Sequence, residues 1–85
     1  MASYKLLIKP SAAKELGALP RKERKRIVTR IQRLVSEPRP PGAEKLSGQE
    51  KYRIRQGDYR VLYLLDDNQT TIVIVKLAHR RDVYR

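Results

Sequence analysis

The pair Gly57-Asp58 sits between two β-prone runs, Tyr52-Arg53-Ile54-Arg55-Gln56 and Tyr59-Arg60-Val61-Leu62-Tyr63. A glycine-first pair in that setting is the signature of a two-residue type II′ turn, because its first central position needs a positive φ. Placing the turn sets the register. Gln56 faces Tyr59, Arg55 faces Arg60, Ile54 faces Val61, Arg53 faces Leu62 and Tyr52 faces Tyr63. Side chains alternate along a strand, so Tyr52, Ile54, Val61 and Tyr63 share one face and Arg53, Arg55 and Arg60 share the other. Like charges directly opposite across a ladder are unfavourable, on the roughly 0.2–1 kcal/mol scale of cross-strand pairs. A chain that keeps such a pair has a use for it, and an anion is the partner that fits.

The chain has 85 residues, enough for one domain, 1–85, and too few for two. Its Val, Ile and Leu fall in periodic blocks, which argues for a small folded core and against disorder. Twenty Lys and Arg against nine Asp and Glu give a net charge of +11. An excess of this size points to a polyanion, either nucleic acid or an acidic protein. It is concentrated early: residues 1–36 hold ten basic and two acidic side chains. A membrane-surface role is disfavoured, because the basic helical segment precedes strands that need a helix for cover. There is no cysteine, which excludes disulfides and thiol chemistry. No signal-peptide pattern opens the chain, and its apolar run at residues 72–75 is far below the ~20 residues of a membrane span. A soluble, cytoplasmic protein is expected.

Residues 4–8 read as a first strand. Ser11 is the expected cap of a short helix with Ala12, Ala13, Leu16 and Leu19 on one face, and Pro20 suits the first turn of a second helix. That helix is expected to run to about Ser36, with Ile27, Ile31, Leu34 and Val35 on its apolar stripe. Lys22, Arg26, Arg30 and Arg33 lie to one side of the stripe. They read either as a solvated face or as a surface that tracks an RNA backbone, with Lys45 beside the hairpin a further RNA-binding candidate. Residues 37–43, rich in proline, are a loop. Residues 45–48 lead to the hairpin, with a short edge segment as one option. A turn at Asp66-Asp67-Asn68 precedes a last strand over residues 69–78, apolar on both faces and hence interior. The expected fold is α+β, ordered β-α-α-β-β-β: a small, antiparallel-dominated sheet with two helices packed on one face. The tyrosine–valine face of the hairpin belongs against those helices. The arginine face is left open.

A single histidine and no Gly-rich phosphate loop leave few catalytic arrangements. Asp66 and Asp67 are adjacent, but a solvated turn explains them better than a metal site, so no metal or cofactor is expected. RNA offers another route, since its own 2′-hydroxyl can attack the neighbouring phosphate. The protein then positions the strand, moves protons and stabilises added negative charge. Arginine suits the last task, because its planar guanidinium grips phosphate oxygens in pairs. With a pKa above ~12 it cannot serve as a base. His79 and Tyr84 are the candidates for proton transfer, each with an ordinary surface or packing role as the alternative.

These residues, in order, resemble the RelE branch of the RelE/ParE toxin superfamily. The likeness is carried by Leu46-Ser47-Gly48, by Tyr52-Arg53-Ile54-Arg55, by Gly57-Asp58-Tyr59-Arg60-Val61-Leu62-Tyr63 and by Ala78-His79-Arg80-Arg81-Asp82-Val83-Tyr84. The opening strand followed by Pro10-Ser11-Ala12-Ala13-Lys14-Glu15-Leu16 is similar to the family's start. The resemblance implies a toxin of a bacterial or archaeal toxin–antitoxin pair that enters the ribosomal A site and cuts mRNA there without metal, by 2′-hydroxyl attack. It implies basic hairpin positions at Arg53 and Arg55, a phosphate-binding Arg60, a tail arginine at Arg80 (with Arg81 adjacent) and a Tyr84 that orients or stacks on a base. It also implies an acidic, RelB-like antitoxin and a hetero-oligomeric complex that binds its promoter through that antitoxin. Some relatives carry lysines where Arg53 and Arg55 stand. Arginine stabilises charge but cannot give up its proton, so the base falls to Tyr84 or His79, with water or the ribosome supplying the rest. Two alternatives stand: a ParE-like inhibitor of DNA gyrase, against which the Asp-Val-Tyr tail argues, and a catalytically inactive antitoxin-binding module.

Overall fold

The computed structural model describes residues 3–46 and 50–79. Five strands and two helices follow one another as β1 (Lys5–Ile8), α1 (Pro10–Gly17), α2 (Arg21–Arg33), β2 (Glu44–Lys45), β3 (Lys51–Gln56), β4 (Tyr59–Asp66) and β5 (Thr71–His79). The sheet order is β1-β5-β4-β3-β2, with β1 parallel to β5 and the other neighbours antiparallel. This is the expected α+β layout with one addition. The two-residue β2 pairs with Tyr52 and Arg53 as a short edge strand. None of the described helices is long and apolar enough to cross a membrane.

The helix boundaries differ from expectation for local reasons. Lys9, extended at φ −61° and ψ 145°, is the N-cap of α1, and Pro10 rather than Ser11 opens the helix. A residue before proline is held out of the helical region, and proline at the first helical position gives up only an N–H with no partner. Pro20 likewise lies outside α2 as its N-cap. That helix stops at Arg33, and the chain tightens through i→i−3 bonds from Leu34 to Ile31, Val35 to Gln32 and Ser36 to Arg33. On α1 only Ala12 is buried, while Ala13 faces solvent.

Ile27, Ile31 and Leu34 of the α2 segment pack on Tyr52, Ile54, Val61 and Tyr63, all buried, as the hairpin register requires. Each such side chain contributes on the order of 1.5–3 kcal/mol by leaving water. The last strand supplies Ile72, Ile74 and Leu77 to the same core. These three cannot share a face in a regular strand. A bulge reconciles them: Leu62 pairs with Lys76 but Tyr63 pairs with Ile74, leaving Val75 as an extra residue. The parity of inward positions changes at Val75. Beyond Ile74 the β1 side of β5 has no strand partner among the described residues, and Glu15 of α1 accepts the Leu77 N–H at 3.1 Å there.

Candidate functional site

The hairpin adopts the predicted register, Gln56↔Tyr59 through Tyr52↔Tyr63. Gly57 has φ +60°, and Asp58 is not among the positive-φ residues, which makes the turn type II′. In a two-residue hairpin the pair flanking the loop exchanges backbone hydrogen bonds, so the next pair, Arg55–Arg60, is the non-hydrogen-bonded kind whose Cα atoms approach to about 4.5 Å. Two guanidinium stems therefore start side by side.

Their surroundings differ. Arg55 is exposed, whereas Arg60 is only 8% exposed, the one buried charged residue among the described residues. A guanidinium nitrogen of Arg60 contacts the Tyr59 carbonyl at 3.4 Å, and no ion pair among the described residues involves Arg60 or Arg55. Arg53 is half-buried and donates to Glu44 at 2.8 Å, the residue opposite it on β2. Sequence reading missed this carboxylate, because nothing local sets the register of a two-residue strand. The three arginines line an open cavity of about 590 Å³ together with Glu44, Gln56 and, from α2, Arg30. A second hollow of about 460 Å³ runs along α2, lined by Lys22, Lys25, Arg26, Arg30, Arg33 and Gln56. Four of the helix residues singled out from the sequence thus stand together, and Arg30 joins them to the hairpin.

The other predicted residues do not all converge here. His79 is the last residue of β5 and not part of a tail. It pairs with Tyr59, whereas Arg60 pairs with Ala78, so after the bulge His79 stands on the helix-covered side and the arginines on the other. Its ring meets that of Tyr59 edge-on, with centroids 5.5 Å apart. Lys45, opposite Tyr52, lies across the sheet from the arginine face and donates to Glu50 at 3.2 Å. Arg80, Arg81 and Tyr84 lie outside the described residues, as do Ser47 and Gly48.

A second polar cluster fastens the proline-rich loop. Arg39 gives two hydrogen bonds to Asp67, at 2.7 and 3.3 Å, and one to the Tyr52 hydroxyl at 2.9 Å, with its guanidinium 5.4 Å from the Tyr52 ring centre. The Tyr4 hydroxyl donates to the same Asp67 at 2.6 Å. Hydrogen bonds from Arg39 and then Tyr4 hold the Asp67 carboxyl below its usual range. The same bond to Asp67 raises Tyr4. Tyr63, stacked on Tyr52, donates to the Pro38 carbonyl at 2.7 Å, and burial pushes its phenol up to about 12. Asp67 is therefore structural, an anchor rather than half of a metal site.

The sequence model of a family described as the ParE toxin of type II toxin–antitoxin systems matches residues 6–84. The toxin in the RelBE2 toxin–antitoxin complex of Mycobacterium tuberculosis is 30% identical, with a TM-score of 0.80, covering 92% of this chain and 99% of that one. The archaeal RelE–RelB complex of Pyrococcus horikoshii gives 30% identity and a TM-score of 0.82, over 94% and 98% of the two chains. Toxin RelG of Mycobacterium tuberculosis is 50% identical over 34 residues, which span 40% of this chain and 39% of RelG. The chain belongs to the RelE/ParE superfamily of type II toxin–antitoxin toxins.

Proposed function

We propose that this toxin is a ribosome-dependent endoribonuclease that cuts mRNA in the ribosomal A site and so stops translation. The observation that carries this reading is Arg60: an arginine only 8% exposed as a whole, opposite Arg55 and lining the open cavity, with no carboxylate partner among the described residues. A buried cation without a counter-charge is costly unless an anion completes it, and a phosphate offers two oxygens to a planar donor. In the reaction the 2′-oxygen attacks the adjacent phosphorus, the bond to the 5′-oxygen breaks, and a 2′,3′-cyclic phosphate and a 5′-hydroxyl result. Negative charge grows on the non-bridging oxygens, where Arg55 and Arg60 act, with Arg53 joining them when it leaves Glu44. This chemistry needs no metal, because the nucleophile is the substrate's own.

Proton transfer belongs elsewhere. His79, on the other side of the sheet, is assigned to packing with Tyr59. Tyr84 and Arg80 are assigned to the active site, with Arg81 in RNA binding, through the superfamily resemblance. The partner is a RelB-like antitoxin, as two structures matched at 30% identity are of a RelBE2 toxin–antitoxin complex and a RelE–RelB complex, and the net charge of +11 suits an acidic one; the pair is hetero-oligomeric, promoter-binding through the antitoxin, and cytoplasmic, where ribosomes are. Adding the purified protein to a cell-free translation reaction and mapping mRNA ends tests the reading. Codon-spaced cuts are expected only when ribosomes are present, and Arg60→Ala is expected to abolish them. Intact mRNA in the presence of active toxin would overturn it.

The family description names ParE, which favours one second reading, a gyrase inhibitor. A supercoiling assay separates the two, since gyrase arrest without mRNA cuts belongs to that alternative. An antitoxin-binding module without activity would give neither effect.

A further inference from the structure

The hairpin cavity and the α2 hollow share Arg30 and Gln56. They meet because β2 is short. It pairs with Tyr52 and Arg53 only, and the chain turns away at Gly42, where φ is +90°. Among the described residues, 54–56 of β3 thereby have no strand partner on that side and form an open sheet edge. The Leu46 N–H bonds to the Lys51 carbonyl, so odd-numbered residues of β3 direct their backbone groups towards that edge. The main-chain N–H of Arg55 therefore points into the passage that Arg30 enters from the helix side. Opposite it in the extrapolated β2 register stands Gly42, which does not pair with it.

We infer that a bound RNA strand crosses the open edge of β3 and continues along α2. Arg30 and the Arg55 N–H hold the phosphate next to the one on the hairpin, and Arg26 and Arg33 hold those beyond. Arg26 and Arg30 are four residues apart on the helix, a rise of about 6 Å, and so form a row along its axis. Of the seven residues lining the α2 hollow, five are basic and none is acidic or aliphatic. That lining favours a nucleic-acid backbone over an acidic peptide. A peptide that orders on binding must bury apolar side chains to offset its lost entropy, whereas a phosphate backbone binds by releasing counterions. The inference rests on the RNA-cleaving reading of the hairpin and extends it to how much of the strand the protein holds.

The test uses the purified full chain and uncleavable 2′-O-methyl oligonucleotides of three and ten nucleotides, with affinity followed by fluorescence anisotropy over a range of salt. The decamer is expected to bind at least tenfold more tightly than the trimer. Arg26→Ala and Arg30→Ala are expected to weaken the decamer by about three- to tenfold, more than the trimer, and to lower its salt slope by about 0.7 per contact removed. Arg30→Lys is expected to keep the slope. Equal binding of both lengths, or equal losses on both, overturns the path. A deca-glutamate peptide that loses affinity in these variants while the decamer does not also overturns it, and gives the face to a protein partner. Cleavage in the translation reaction, measured on the same preparations, separates the two ideas. Cuts without a length effect remove the path and leave the hairpin reading, and a length effect without cuts does the reverse.

Discussion

Arg60 concentrates the conflict between folding and function in one side chain. It is buried, faces a like charge, and has a carbonyl at 3.4 Å as its hydrogen-bond partner. Replacing such a group with an apolar residue of similar length removes a desolvation cost and a repulsion together. Arg60→Met is therefore expected to stabilise the protein by about 1 kcal/mol, which for a domain of this size is roughly 4–8 °C in Tm, while abolishing RNA cleavage. Added phosphate is expected to raise the Tm of the wild type by more than that of the variant, because a folded anion site couples binding to stability and the variant has lost the one at Arg60. Thermal melts with and without phosphate check both statements; a variant less stable than the wild type would refute the first. Arg53 stands in contrast. Its bond to Glu44 means that the site is not three equivalent cations.

At the scale of elements, the hairpin turn and the β5 bulge place everything else. Gly57, at φ +60°, has open space where a side chain would go, its nearest neighbour being a Glu23 carboxylate oxygen at 4.0 Å. The demand on this position is therefore backbone conformation and not room. Gly57→Ala is expected to cost about 1–2 kcal/mol through the left-handed φ, and to loosen the Arg55–Arg60 pairing that the turn enforces. Urea titration gives the first quantity; the ribosome-dependent cleavage rate, which should fall with it, gives the second. The bulge at Val75 has the larger structural reach. It lets Ile72, Ile74 and Leu77 all reach the core, and it turns His79 away from the arginines.

Across the whole molecule, Asp67 ties together chain segments far apart in sequence: Tyr4 at the entry to β1, Arg39 in the proline loop and its own turn after β4. Its folded carboxyl is held below the usual value, mainly by the Arg39 hydrogen bond. The unfolded state thus takes up protons first as pH falls. The stability this contributes is present above the ordinary aspartate value near 3.9 and is lost as pH drops through the lower folded value. Asp67→Asn is expected to lower Tm at neutral pH, with the gap from wild type narrowing below about pH 4. Parallel melts between pH 2 and 7 test this, and a gap independent of pH would exclude the ionised carboxylate as its source. Tyr63 acts at the other end of the scale. Its phenol is raised to about 12 by burial, so its contribution is complete below pH 10 and declines as pH rises towards 12.

The sequence by itself determined the hairpin, its turn type, its register and the division of its faces, because a two-residue loop is a local object and a strand has a fixed period of two. It also showed the apolar stripe of α2, the interior character of the last strand and the order of the main elements. Tertiary structure decided the rest. The side of the sheet on which His79 stands depends on one extra residue at Val75, which a run apolar on both faces cannot reveal. Glu44 meets Arg53 through a two-residue strand with no periodicity to read. Arg39, Asp67 and Tyr4 find one another across up to 63 positions, a distance no spacing rule spans. The joining of Arg30 to the hairpin arginines is of the same kind. The charges were legible in the sequence, but only the packing of α2 beside the open edge of β3 made them neighbours.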